Sequence, residues 1–181
     1  VTCAALLGMA ATTNLYKIRY IKQWTSSYNV EYEAWNSFSR VGAFPAPTNA
    51  AQNLPLANPV ASYAGDQYPK TMILDIDGAA WTPMMNFDGN LESIQFLRGS
   101  ILYAVHRLRP DARVLLIGLG GGRDILAARA FGQRSVKGIE INPLMYHVVE
   151  ERYGDYSGHP YTTDAEVIID EARSHLHRLD E

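Results

Sequence analysis

The sequence predicts an α/β fold in which antiparallel β-hairpins precede an incomplete parallel βαβ sheet, a partial domain. Three observations predict it. An apolar run at residues 114–117 ends in a glycine cluster, Gly118 to Gly122. A helix-like segment and a second apolar run follow, and that run closes on an acid, Glu140. Upstream, residues 30–35 alternate apolar and polar side chains, and turn signals punctuate the chain, as half-buried hairpins require.

Composition bounds the function. A chain of 181 residues, 47% apolar and 19% charged, is long enough for a globular domain of ordinary size. A formal net charge of -3 gives no electrostatic footprint for nucleic acid, so none is expected as a partner. The single cysteine, Cys3, excludes an internal disulfide and a cysteine-based zinc site. The five histidines have no metal-ligand spacing; His175 and His177, two apart, point to different faces of a helix. No metal is expected.

Residues 1–25 form an apolar and then basic segment. Residues 1–13 carry no charge, Lys17, Arg19 and Lys22 follow, and the first acid is Glu31. A signal peptide has its positive charge before the apolar stretch, not after it. The stretch also falls short of the ~20 residues that cross a bilayer. It begins without an initiator Met and reads as the tail of a transmembrane helix with its basic flank on the cytoplasmic side. The other reading is a buried amphipathic helix.

Residues 26–90 form a hairpin region. The strand at 30–35 has a partner at 39–44 across Asn36-Ser37. Residues 45–69 hold Pro45, Pro47, Pro55, Pro59 and Pro69, which predicts a loop or insertion. Thr71–Ile76 reads as a strand, with turn signals at Asp77-Gly78 and Asp88-Gly89.

Residues 91–181 form the first half of a nucleoside-binding domain. From Leu91 to Leu108, Ile94, Leu97, Ile101, Leu102, Val105 and Leu108 recur at helical spacing and predict one apolar face, ended by Pro110. A strand at Arg113–Ile117, a helix at 123–131 and a strand at 135–141 follow. The next helix has Asn142 as N-cap, Pro143 at its first position and an apolar face of Leu144, Met145, Val148 and Val149. Gly154 stands where a C-terminal cap belongs. A third strand at 165–169 and a helix at 171–179 complete the pattern.

Glycines at 118, 120 and 122 allow a sharp turn from strand to helix. They also let the backbone approach a ligand that a Cβ would hold off, with free helical N–H groups behind it. Glu140, 22 residues after Gly118, can accept both hydroxyls of a ribose. The alternative is a glycine-rich turn with a solvated Glu140. The dinucleotide fingerprint has Gly or Ala at its sixth position, where this chain has Arg123, so NAD(P) is the runner-up nucleotide.

The Gly118-x-Gly120-x-Gly122 spacing, with Glu140 to Pro143, resembles the Rossmann-like fold of class I S-adenosylmethionine-dependent methyltransferases. More narrowly, residues 114–124 and 138–143 resemble the spermidine synthase (polyamine aminopropyltransferase) family. Residues 170–176 look like that family's segment after the third strand, where an acid holds the adenine amino group. Residues 33–40 and 74–78 look like the N-terminal hairpins of its membrane-fused bacterial members, in which transmembrane helices precede the synthase-like domain.

The resemblance implies S-adenosylmethionine or decarboxylated S-adenosylmethionine as cofactor. Gly118, Leu119, Gly120, Gly121 and Gly122 then shape the nucleoside pocket, Glu140 takes the ribose with Ile141 beside it, and Asp170 or Glu171 takes the adenine. Capping of the following helix is an equal reading of that acid pair. Asp77 is the candidate contact for a small-molecule amine, with Asp75 and Asp88 as further acids. The implied reaction is aminopropyl transfer to an amine in polyamine biosynthesis, through positioning and deprotonation.

The chain departs from the family in lacking its Tyr-His-Glu segment at residues 91–98. The family's catalytic Asp follows a fourth parallel strand, and Glu181 comes before it, so the chain reads as C-terminally truncated and no catalytic residue is assigned. Arg40 and Arg123 are candidate anion contacts. Arg123 opposes the dipole of the helix it starts and reads as an ion-pair partner or as facing a ligand carboxylate. Methyl transfer on the same fold is the first alternative. A non-catalytic, membrane-associated protein binding a nucleoside or polyamine is the second, and an NAD-dependent oxidoreductase the third. The expected location is the cytoplasm or the cytoplasmic face of a membrane. An uncovered parallel sheet predicts self-association, including a homo-oligomer.

Overall fold

The computed structural model describes residues 20–21, 24–25, 30–46 and 68–179. The apolar stretch at 1–13 and residues 47–67 of the proline-rich segment lie outside the described residues. Among the described residues no helix is long and apolar enough to cross a membrane.

Strands β1 (Tyr20–Ile21) and β2 (Trp24–Thr25) pair with each other antiparallel. Strands β3 (Tyr32–Trp35), β4 (Arg40–Pro45), β5 (Thr71–Ile76) and β6 (Ala80–Met85) form an antiparallel sheet in that order. The hairpin across Asn36-Ser37 sets Trp35 opposite Arg40 and Tyr32 opposite Ala43. Asn36 fixes the turn, because its Oδ1 accepts the N–H groups of Phe38 and Ser39 at 2.9 and 3.0 Å. Pro45, expected in the loop, is instead the last residue of β4, opposite Met72. A strand end is a place where the missing N–H is tolerated. Between β5 and β6 the Ala79 N–H closes on the Ile76 carbonyl, and both central residues, Asp77 and Gly78, have positive φ. This is the hairpin turn that Asp-Gly favours.

The helix expected over residues 91–108 is broken. Leu91–Gly99 and Ile101–Tyr103 are 3-10 turns, and α1 is only Val105–Leu108. Ser100 is extended between the first two, and its hydroxyl caps the second by accepting the Leu102 N–H. The break rotates the chain. Ile94 and Leu97 are buried as expected, but Tyr103 and His106 take the inward places downstream. Ile101 and Leu108 are left 79% and 78% exposed.

Strands β7 (Arg113–Ile117), β8 (Ser135–Glu140) and β9 (Glu166–Ile169) form a parallel sheet in that order, as the sequence predicts. Between them lie α2 (Arg123–Ala130), α3 (Pro143–Tyr146), a π-helical segment (His147–Arg152), α4 (Gly154–Ser157) and α5 (Pro160–Thr163). Helix α6 (Ala172–Leu179) follows β9. Asn142 is the N-cap of α3, accepting the Leu144 N–H at 3.0 Å, and Pro143 is its first residue.

Gly154 does not cap that helix. It opens α4, and a Cβ there would lie 2.2 Å from the His159 ring. The left-handed cap is Gly158, with φ 77. One core joins the two sheets: Val41, Met72, Leu74 and Met84 of the hairpin sheet pack with Ile125, Met145 and Val149 of the parallel unit. A second cluster puts Phe87, Ile94 and Leu97 against Leu126 and Ala130 of α2.

Candidate functional site

In open parallel sheets ligands bind beyond the carboxyl ends of the strands. Here the ends of β7 and β8 carry the glycine turn and Glu140. Gly118, Gly120 and Gly122 have φ of 77, 52 and 81°, so the turn enters a region that side chains rarely adopt. The reasons for glycine differ along it. A Cβ on Gly118 would meet nothing within 4 Å. A Cβ on Gly121 would stand 2.1 Å from the Pro83 carbonyl oxygen, and one on Gly122 would stand 2.8 Å from the Pro160 ring. Close approach at 121 and 122 is therefore to the protein's own β6 and α5, not to a ligand. Thr82 on β6 completes that seam, its hydroxyl accepting the Gly121 N–H at 3.1 Å. The Tyr161 hydroxyl donates to the Gly120 carbonyl.

Glu140 is 5% exposed. Its Oε2 accepts the N–H groups of Leu119 at 2.9 Å and Gly120 at 3.3 Å, and its Oε1 accepts the Asn142 N–H at 3.0 Å. The carboxylate thus holds the glycine turn onto the end of β8 while facing a cavity of 790 Å³. That volume lies within the ~300–1,000 Å³ of small-molecule sites. Gly118, Leu119, Gly120, Ile141 and Asp77 line the same cavity. Asp77 sits in the left-handed region at φ 54, and its Oδ1 accepts the Arg40 N–H at 2.8 Å, which ties the turn to β4.

Asp170 and Glu171 stand apart from this cavity. Both Glu171 oxygens cap α6, accepting N–H groups from Arg173 at 3.0 Å and Ser174 at 2.8 Å, plus the Ser174 hydroxyl at 2.7 Å. These hydrogen bonds, the Ser174 hydroxyl first, hold its carboxyl down at about 2. Asp170 is one strand from Glu140, its N–H donating to the Glu140 carbonyl at 3.0 Å. Its carboxylate pairs with Arg178 and lies 3.4 Å from His175 Nδ1.

The cavity also takes residues that sequence reasoning did not assign to it. Phe38, Ser39, Trp81 and Thr82 come from the hairpin sheet, and Tyr103 from the broken helical segment. Asn142, read as a cap alone, also accepts from Asn36 Nδ2 at 2.7 Å and donates to the Ser39 hydroxyl at 2.9 Å, clamping the hairpin onto the parallel unit. Tyr103 donates its hydroxyl to Asp124 Oδ1 at 2.7 Å. Burial, and then the Asp124 charge, push its pKa up, so the ring keeps its proton. Arg123 lines the same wall, with its guanidinium 5.8 Å from the centre of the Tyr103 ring.

Arg40 belongs elsewhere. It is buried at the start of β4, paired with Glu33 at 3.0 Å and Asp75 at 2.8 Å. Among the described residues no cluster of His, Cys, Asp and Glu could hold a metal ion.

No protein-family model and no curated protein matches the chain. Among solved structures it is similar to the spermidine synthase from Thermotoga maritima, with 15% identity and a TM-score of 0.51 over 82% of this chain and 43% of that one. It is also similar to a spermidine synthase in complex with the transition state analogue AdoDATO, with 16% identity, a TM-score of 0.48, and the same 82% and 43% coverage. A probable spermidine synthase from Corynebacterium glutamicum gives 12% identity and a TM-score of 0.42 over 79% of this chain and 45% of that one. The chain therefore spans less than half the length of these proteins. At such identity the likeness concerns architecture: a parallel three-stranded sheet and an antiparallel hairpin sheet, arranged as in part of the methyltransferase-like spermidine synthase fold.

Proposed function

We propose that the cavity takes the nucleoside of S-adenosylmethionine or of its decarboxylated form, in a spermidine synthase-like transferase acting on a small-molecule amine. The observation that supports this most is Glu140, a buried carboxylate lining the cavity at the carboxyl end of β8. Its Oε1 accepts one N–H and keeps a further lone pair. Its Oε2 holds Gly120 only at 3.3 Å, a contact that a ribose hydroxyl can replace. Ribose supplies two adjacent donors for those two oxygens. Gly118, Leu119 and Gly120 form the floor, with Gly121 and Gly122 seating the turn on β6 and α5 behind it, and Ile141, half exposed at the rim, gives the adenine an apolar bed.

The reading gives the adenine amino group to neither Asp170 nor Glu171, because both Glu171 oxygens are committed to the α6 cap, and Asp170 accepts the Glu171 N–H through Oδ1 and pairs with Arg178 through Oδ2. Asp77 is the acid placed to attract a cationic amine, since it lines the cavity from the hairpin side. The bound donor supplies an electrophilic carbon next to its sulfonium. The protein's part is to orient it and to hold the amine in line. The two donors share the nucleoside and differ in the tail. The decarboxylated form gives aminopropyl transfer and the intact form gives methyl transfer.

Calorimetric titration with 5′-methylthioadenosine and its 2′-deoxy counterpart tests the reading. A hydroxyl accepted by a buried carboxylate contributes ~1.5–3 kcal/mol, so the 2′-deoxy compound should bind roughly ten- to a hundredfold more weakly. Glu140→Gln should narrow that gap. Tight binding of NADH with no binding of 5′-methylthioadenosine would sink the proposal.

A further inference from the structure

One wall of the cavity is charged in an unusual way for a nucleoside site. At the sixth position of the glycine turn, where a dinucleotide site has no side chain beyond a methyl, Arg123 enters the cavity lining. Its side chain is only 11% exposed. The next residue, Asp124, lines the same wall, with Oδ1 4.0 Å from Arg123 Nε. Tyr103, itself buried, holds Asp124 in place through its 2.7 Å hydrogen bond and lies beneath the guanidinium.

We propose that Arg123 and Asp124 read the two opposite charges of an α-amino acid, so that the donor is intact S-adenosylmethionine and not its decarboxylated form. This rests on the reading of the cavity as a nucleoside site. An α-amino acid carries a carboxylate and an ammonium on one carbon, and a fixed cation and anion side by side match that pair. A guanidinium suits a carboxylate because its planar donors reach both oxygens. The decarboxylated tail carries only the ammonium. Asp124 can still receive it, but it then lies beside a like charge that no carboxylate offsets. In a partly buried wall that repulsion is screened less than in open water. The same wall turns away a polycationic amine, which leaves the hairpin side around Asp77 for the acceptor.

The test is a calorimetric titration of the whole chain with three probes sharing one nucleoside. S-Adenosylhomocysteine has the zwitterionic tail, S-adenosyl-3-thiopropylamine has the ammonium alone, and 5′-methylthioadenosine has no charge on its tail. S-Adenosylhomocysteine should bind at least about tenfold tighter than S-adenosyl-3-thiopropylamine, the scale of one charge-assisted contact. Arg123→Gln should abolish that preference while the affinity for 5′-methylthioadenosine stays within about twofold. Equal or tighter binding of S-adenosyl-3-thiopropylamine by the unaltered chain overturns the inference and leaves the nucleoside reading standing. So does an Arg123→Gln protein that loses 5′-methylthioadenosine to the same degree, because the arginine then acts only on the fold. Failure of all three probes to bind overturns both. The comparison on the unaltered chain decides the matter even if a variant does not fold.

Discussion

Gly118 and Gly121 sit three residues apart in one turn, yet their environments make opposite demands. The Cβ of Gly121→Ala would collide with Pro83 O at 2.1 Å and Met84 N at 2.9 Å, backbone atoms of a paired strand that cannot shift alone. Gly118→Ala meets open space and costs only the strain of a positive φ. Gly121→Ala should therefore lose roughly 3 kcal/mol and Gly118→Ala about 1 kcal/mol, read from denaturant midpoints. Equal losses would mean that the glycine turn is not seated on β6. The sequence marked both glycines as special but could not say which faced a ligand, because the partner at Gly121 lies in a different sheet. Arg40 makes the same point. Read as an anion contact, it is buried with Glu33 and Asp75 as its anions. Burial raises the Asp75 pKa, and Arg40 works against that rise. Arg40→Met should cost about 3–5 kcal/mol, since it strands two partly buried carboxylates. A loss near zero in the same denaturation experiment would show that the pair is dispensable.

Elements were legible where local chemistry and tertiary packing agreed. The strand β5, the Asp77-Gly78 turn, the βαβ order and the Asn142-Pro143 start of α3 all follow from short-range preferences that the core then reinforces. The 91–108 segment departs from its helical period because the capping of Leu102 by Ser100 outweighs that period. Gly154 failed because its partner, the His159 ring, belongs to the next turn. That turn and α6 should respond to pH in opposite senses. Hydrogen bonds to Glu150 and then Asp155 raise the His159 pKa above its usual 6.5. The protonated ring is favoured in the folded state, so its contribution is complete below 6.5 and fades as pH rises through the raised value. Amide exchange around α4 and α5 should quicken as pH rises above 6.5 through the raised value, beyond the intrinsic trend, and His159→Gln should remove that excess. At α6 the sign reverses. Glu171 is held at about 2 against a usual 4.5, so its cap is intact above 4.5 and is lost as pH falls through about 2. Glu171→Gln should fray α6 at neutral pH, and unchanged protection of the α6 amides would refute the cap.

At the scale of the whole molecule, the two sheets are joined through one core and through the seam of Thr82, Pro83, Gly120 and Gly121, but the coverage is lopsided. One edge of the hairpin sheet, β6, is covered by the glycine turn. At the opposite flank β7 pairs only with β8, so among the described residues its outer edge keeps unpaired backbone donors and acceptors. On one face of that strand Leu115 and Ile117 are 43% and 61% exposed. The broken 91–108 segment adds Ile101, Leu102, Val105 and Leu108 to the exposed apolar surface. Parallel sheets are stable when both faces are covered, and an apolar edge strand is a template for another chain. The 181-residue chain should therefore self-associate, with a mass that rises with concentration in sedimentation or light scattering. Lysine at both exposed positions, Leu115→Lys with Ile117→Lys, should lower that mass toward the monomer, because a charged edge resists pairing and both side chains already lie at the surface. A concentration-independent monomer with a sharp, reversible thermal transition would refute the prediction. It would mean that the core shared by the two sheets stabilises the molecule without cover for β7.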